Sequence, residues 1–554
     1  MSFVAAMNCP EFCEPDEGFG VKGSDVYTET GVGDLRVSFY TQLNRDCSKE
    51  VCIDHVRKFL HANTEVQTDF LVMLFQTRDI RGGKGEKDLF VHMATEVIRL
   101  RPQWVGALCK LIPEYGCWKD LWRIMGGLLE FERSNTYPDK SIVPCIRALD
   151  ECIRAQWKAD CEAEHPSLLA KWLPREGGKF STLAKHYADC LFPDVAEENY
   201  GRMRAYRKAV ADMNRRIDTT EIKMCGGTWS AIEPRKVPGR LMKRCKKAFW
   251  NKGHSGETRY PQKEDRIKCA EHFQEYIAAV KDGKEIMKGS GVVYPHELVK
   301  EVAYGVEPTA EELQVIQCQW DAIRDATKTA GGLSNAVFMC DFSGSMEGVP
   351  ILVSIALGIL GSELASESFK DHILTFDSTP KWHSFKGLQT LQEKVKSVGG
   401  LGYGLSTNFQ SACDLILKRL VEHKVPASEA PTDLIVLTDM GFDQAANDMN
   451  THNKKTQIWQ THFQMIRKSF EDNGYTPPRI VCWNLRAEYT DYQATAHEVG
   501  VVQLSGWSPS AFKAISQNGV QVITPYEGLR KILDDVRYDP IRKVCGGLFA
   551  AERT

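Results

Sequence analysis

Apolar positions along this chain follow two rhythms, and the change between them falls near residue 330. From residue 48 to residue 329 they recur at helical spacing. Phe70, Leu71, Leu74 and Phe75 share one face, as do Leu89, Phe90, Met93, Val97 and Leu100, and then Trp118, Leu121, Trp122 and Met125. Short links between these segments predict paired helices, an all-α solenoid of HEAT-like repeats with no clean fixed period. From Asn335 onward, short apolar runs alternate with helical patterns. Residues 336–340, 372–376, 433–437, 479–483 and 501–505 read as strands, and 381–385 as a hairpin partner. Trp459, Phe463, Ile466 and Phe470 mark one helix, and residues 526–536 a last one. Such alternation predicts an α/β, doubly wound, mostly parallel sheet.

These rhythms divide the chain into an N-terminal arm (1–47), a helical-repeat domain (48–330), an α/β domain (333–540) and a tail (541–554), with Gly331 and Gly332 as the hinge. The arm carries glycines at 18, 20, 23, 31 and 33 and a short alternating piece at 35–40, and reads as an extended segment that packs on something else. A length of 554 residues requires more than one domain, because single cores rarely grow past about 250–300 residues. The net charge of −3 argues against a whole-molecule polyanion binder but leaves room for a local basic face. The eighteen cysteines are scattered, many in apolar patterns such as Cys109, Cys340, Cys413 and Cys482, which suits reduced buried thiols and a cytoplasmic location. Cys9 with Cys13, or Cys47 with Cys52, would make half a zinc site, but no second pair stands at the required spacing. Residues 1–13 have neither the basic start nor the apolar core of a signal peptide. The longest apolar run, 349–360, falls short of the roughly 20 residues a bilayer span needs.

Two stretches of the helical region invite a ligand. The link Arg78-Asp79-Ile80-Arg81-Gly82-Gly83-Lys84-Gly85-Glu86-Lys87 has glycine-exposed amides before a helix, as anion-binding loops do. It lacks the G-x-x-x-x-G-K-[ST] spacing and a preceding buried strand, so a tight helix–helix turn is the expected structure. Between residues 201 and 260 the charge turns basic: Arg202, Arg204, Arg207, Lys208, Arg215 and Arg216, then Arg235, Lys236, Arg240, Lys243, Arg244, Lys246, Lys247 and Lys252. Tyr206, Trp229, Phe249 and Trp250 are interleaved, either to stack on unpaired bases or to anchor helices. The second basic group, Arg235 to Lys252, is the candidate RNA surface.

The chemistry of the α/β region lies at the strand ends, where such sheets bind ligands. Ala336-Val337-Phe338-Met339-Cys340 ends in Asp341, Ser343 and Ser345; Gly402-Tyr403-Gly404-Leu405-Ser406-Thr407-Asn408 precedes a helix; Leu437-Thr438-Asp439-Met440-Gly441 follows a buried strand. Two carboxylates and three hydroxyls form an oxygen set for a hard cation, Mg2+ or Mn2+. Asp443 and Ser406 lie close by but read as a cap and a neighbour.

At these residues the chain resembles the von Willebrand factor type A (vWA) domain and its metal-ion-dependent adhesion site. That pattern is D-x-S-x-S, a distant threonine and a distant aspartate, and Asp341, Ser343, Ser345, Thr407 and Asp439 match it in order. The resemblance implies that these residues hold the cation directly or through water and that an acidic group of a partner completes its shell. Helical repeats before such a domain look like the Ro autoantigen, or TROVE-module, proteins, which bind noncoding and misfolded RNA. Arg78-Asp79 with its glycine turn, and Tyr115-Gly116-Cys117-Trp118-Lys119-Asp120-Leu121, look like that module. The whole chain is also similar to an uncharacterised family of plants, fungi and giant viruses combining both parts.

No catalytic constellation competes: His254, His383, His452 and His497 lack a paired nucleophile in a recognisable motif. The expected function is therefore non-enzymatic, an RNA-binding ribonucleoprotein component in which a helical ring grips RNA and the vWA domain closes the ring or recruits a partner. The alternative is a metal-dependent protein-interaction scaffold without RNA, and a metal-dependent hydrolase ranks behind both.

Overall fold

The computed structural model describes residues 17–19, 25–134, 142–196, 198–253, 255–287, 289, 292–305, 307–329, 333, 335–375, 380–399, 409–441, 462–487, 492–512, 515 and 523–551. The chain forms two units.

The first is α/β and comprises Met1–Cys47, Tyr294–Pro308 and Ile323–Asp535. A short antiparallel pair, β1 (Glu17–Phe19) with β2 (Asp25–Tyr27), precedes the main strands. These are β3 (Ala336–Cys340), β4 (His372–Thr375), β5 (Lys381–Ser384), β6 (Asp433–Thr438), β7 (Arg479–Asn484) and β8 (Val501–Ser505). They make one six-stranded sheet in the order β5-β4-β3-β6-β7-β8, parallel except for the antiparallel edge strand β5. Every residue of β3, β6, β7 and β8 is buried, as uninterrupted apolar runs require.

Alternate side chains of β3 serve different helices. Val337 and Met339 join the core made by helices Phe409–Glu422 and His462–Asp472, through Phe409, Leu417, Phe463 and Phe470. Phe338 and Cys340 face helix Val349–Leu364. That helix approaches closely because it presents glycines: a Cβ on Gly361 would stand 2.1 Å from the Phe338 ring, and one on Gly358 2.5 Å from Cys340 Sγ.

Part of the expected arm is integral to this unit. Residues 35–40 are helical, within Leu35–Gln42, because Asp34 caps the first turn by accepting from Arg36 N at 2.8 Å. The helix lies along edge strand β8, where Thr41 Oγ1 donates to Gln503 Oε1 at 3.0 Å and Asn484 Nδ2 donates to Thr41 O at 3.0 Å. Helix Pro295–Ala303, assigned by sequence to the helical domain, packs instead on helices Val349–Leu364 and Leu391–Val398.

The second unit, Ser48–Val293, Thr309–Ala322 and Val536–Thr554, is helix-rich. Helix Thr64–Arg78 buries Phe70, Leu71, Leu74 and Phe75, and helix Lys87–Leu100 buries Leu89, Phe90, Met93 and Val97. Side-chain caps open two helices: Ser48 Oγ accepts from Val51 N at 3.2 Å, and Asn63 Oδ1 from Val66 N at 3.0 Å. The expected tail is corrected here. Residues 541–551 continue helix Asp539–Ala551, which packs on helices Thr64–Arg78 and Val105–Tyr115 and buries Ile541 and Cys545. The Gly331-Gly332 hinge and Trp459 lie outside the described residues.

Candidate metal centre and basic face

Strands β3 and β6 are neighbours in parallel register, so their carboxyl ends deliver Asp341 and Asp439 side by side. Both side chains are fully buried. Asp341 Oδ1 accepts from Ser343 N at 2.9 Å, which turns the loop sharply and brings Ser343 Oγ within 3.0 Å of Ser345 Oγ. Asp439 Oδ1 accepts from Gly441 N at 3.0 Å, while its Oδ2 is buried with no hydrogen-bond partner. Burial, and then the adjacent Asp439 carboxylate, push the Asp341 carboxyl up to about 6.

Thus Asp341, Ser343 and Ser345 gather on one loop with Asp439 beside them, while Thr407, with Ser406 and Asp443, lies outside the described residues. The set suits a hard divalent cation. It offers only oxygen, it carries two buried negative charges, and one carboxylate oxygen is orphaned at a depth where an unpaired charge is costly. No group of three or more His, Cys, Asp or Glu side chains able to hold a metal occurs among the described residues.

Three residues that motif reading passed over complete the geometry. Thr438 Oγ1 donates to Asp341 Oδ2 at 2.9 Å and accepts from Met440 N at 3.2 Å, joining the two carboxylate loops. Met440 holds φ +72°, a left-handed conformation costing about 1–3 kcal/mol in a non-glycine residue. Arg486, just past β7, donates from Nη1 to the carbonyl of Ser345. Only Thr438 left a sequence signal, as the polar end of a buried strand; the others depend on tertiary placement.

The second candidate surface is partly as expected. Helix Gly239–Phe249 buries Leu241, Met242 and Phe249, and its other face carries Arg240, Lys243, Arg244, Lys246 and Lys247. Arg235, Lys236 and Arg244 are exposed; Arg240, Lys243, Lys246, Lys247 and Lys252 are half-buried. Several cations are engaged locally: Arg240 Nε donates to Val292 O at 2.8 Å, Lys236 pairs with Glu233 at 2.8 Å, and Lys247 lies 3.8 Å from Glu312. The aromatics anchor helices rather than present themselves to bases. Phe249 stacks on Phe273 at 4.3 Å, Trp250 packs on Phe273, the Arg266 guanidinium lies 3.7 Å above Trp229, and buried Tyr206 donates to Pro174 O at 2.6 Å.

The glycine-rich link is a closed turn. Arg81 N and Gly82 N donate to the Asp79 carboxylate, Gly83 N to Asp79 O, Lys84 N to Gln76 O and Glu86 N to Thr77 O, all within 2.7–3.2 Å. A Cβ at Gly83 would stand 1.9 Å from Gln76 O, so the turn demands glycine. Around it, Arg78 Nε donates to Asp120 Oδ2 at 2.6 Å, Arg537 Nη2 donates to Asp79 Oδ1 at 2.8 Å, and Tyr115 Oη donates to Arg537 O at 2.7 Å. The two motif stretches of the helical region therefore meet in a buried polar network. Described cysteines, Cys47 and Cys52 included, are free thiols; Cys9 and Cys13 lie outside the described residues.

Two family models match adjoining segments: residues 148–333 match a domain of unknown function, DUF2828, and residues 335–528 another, DUF7788. Among solved structures, the crystal structure of the Deinococcus radiodurans RO (RSR) protein aligns over 90% of this chain and 93% of that one, with a TM-score of 0.33 and 12% identity. The chain is similar across nearly its whole length to the uncharacterized protein L728 of Acanthamoeba polyphaga mimivirus, 28% identical over 536 residues, which are 94% of this chain and 88% of the viral protein.

Proposed function

We propose that this chain is a non-enzymatic binding protein whose α/β unit, a doubly wound domain of vWA kind, captures an acidic group of a protein partner through a divalent cation, Mg2+ or Mn2+. The observation that carries this reading is the carboxylate pair: Asp341 and Asp439 are buried together and Asp439 Oδ2 has no partner. Removing paired charges from water is unfavourable unless a counter-charge or donors compensate. Asp341, Asp439, Ser343 and Ser345 would hold the cation, with Thr407 as the resemblance implies. When bound, the cation supplies a coordination position for a ligand oxygen. The chain's own part is to keep the serine loop turned by the Asp341 to Ser343 bond and to hold both carboxylates through Thr438.

Thermal denaturation tests it. Mg2+ at one hundred times its dissociation constant should stabilise the wild-type chain by about 2.7 kcal/mol over the same chain in EDTA. Asp341→Ala should remain folded and show no Mg2+ effect. An equal effect in the variant removes the assignment.

A second reading, RNA binding by the helix-rich unit, is favoured by the exposed cations Arg235 and Lys236 beside helix Gly239–Phe249 and Arg244 on it. With the aromatics packed inward, such binding would rest on phosphates and fall steeply with salt. Neutralising Lys243, Arg244, Lys246 and Lys247 should flatten the slope of log affinity against log salt by about 3 for single-stranded RNA. Absence of binding at low salt leaves the metal-dependent scaffold alone.

A further inference from the structure

We infer that Arg486 is a positioning residue of the cation site, a strap that holds the serine loop in its ligating form; the inference rests on the metal-dependent reading above. Strand order places β6 between β3 and β7. Ser345 follows β3, Asp439 follows β6 and Arg486 follows β7, so three successive strand ends contribute to one place. Neighbouring strands are about 4.8 Å apart, and a link from β7 to the β3 loop therefore crosses about 10 Å over the end of β6. An arginine side chain leaving a loop can cover that distance, and its Nη1 reaches the carbonyl of Ser345.

Both ends of the strap are fixed. At its root, Arg486 N donates to Asn484 Oδ1 at 3.0 Å, and the fully buried Asn484 donates in turn to Thr41 O at 3.0 Å. Leu485 N donates to Thr438 O at 2.8 Å, tying the same segment to the residue that bonds Asp341. At its tip, the guanidinium holds the backbone of the residue whose hydroxyl lies 3.0 Å from Ser343 Oγ. Ser345 belongs to a three-residue 3-10 turn, Gly344–Met346, too short to fix its own orientation. A guanidinium bonded to that carbonyl supplies the missing restraint.

The test is calorimetric titration of the full-length chain with Mg2+ as the sole probe, comparing wild type, Arg486→Met and Arg486→Lys. Outer partners of metal ligands typically contribute 10–100-fold to affinity. Arg486→Met should bind Mg2+ at least about tenfold more weakly, keep its melting temperature in EDTA, and be partly rescued by lysine, which retains a charged donor. Wild-type affinity in Arg486→Met overturns the inference and leaves the metal reading intact, as does a loss that tracks a lowered melting temperature in EDTA without rescue by lysine. A wild-type chain that binds no Mg2+ overturns the metal reading and the inference together. Should Arg486→Met fail to fold, Arg486→Gln decides by the same criteria.

Discussion

Asp341 and Asp439 carry opposite consequences for stability and for binding. Without a cation, burial first and the neighbouring Asp439 carboxylate second raise the Asp341 carboxyl, so the ionised pair is costly. Asp341→Asn should therefore stabilise the metal-free chain by about 1 kcal/mol or more, as relief of functional strain commonly does, while abolishing Mg2+ binding. The new amide would face Thr438 Oγ1, a hydroxyl with a second lone pair able to accept it. Urea denaturation in EDTA measures this, and a destabilised Asp341→Asn would show that Asp341 is structural. The D-x-S-x-S spacing made Asp341, Ser343 and Ser345 legible because their chemistry is local. Met440 and Arg486 were not legible as members of the site, and Thr438 showed only as the polar end of a buried strand. Their roles depend on which strand end lies beside which, a fact set by strand order rather than by neighbours in sequence.

At the scale of elements, strands read best. The expected strand positions match β3, β4, β6, β7 and β8 to within one residue at their ends, since fully buried strands write uninterrupted apolar runs. The segments that went astray are those whose partners are remote. Helix Leu35–Gln42 has short-range alternation but is fixed by Asp34 and by β8, and helix Asp539–Ala551 is fixed by helices near residues 64–115. Arg537 introduces that last helix and shares the buried Asp79 with the amides of the glycine turn. Arg537→Ala leaves Asp79 without its counter-charge, and the expected loss is about 3 kcal/mol. Guanidinium chloride unfolding with hydrogen exchange of helices Thr64–Arg78 and Asp539–Ala551 would register it; unchanged protection in both helices would mean that apolar packing alone fixes the C-terminal helix.

For the whole molecule, the change of rhythm near residue 330 located the sheet but not the path of the chain. Both units are built from three separate stretches, and a periodicity scan assigns contiguous blocks only. The same limit applies to function: the basic run was visible as charge, but that its aromatics point into the core emerges only from packing. The cation site is the centre of the proposed function. The measurement that bears on it most directly is paramagnetic resonance of Mn2+ titrated into the EDTA-stripped full-length chain and into Asp341→Asn and Asp439→Asn. One tightly held Mn2+ per wild-type chain, lost in both variants and displaced by Mg2+, is the predicted result; wild-type Mn2+ binding that survives in both variants would contradict it.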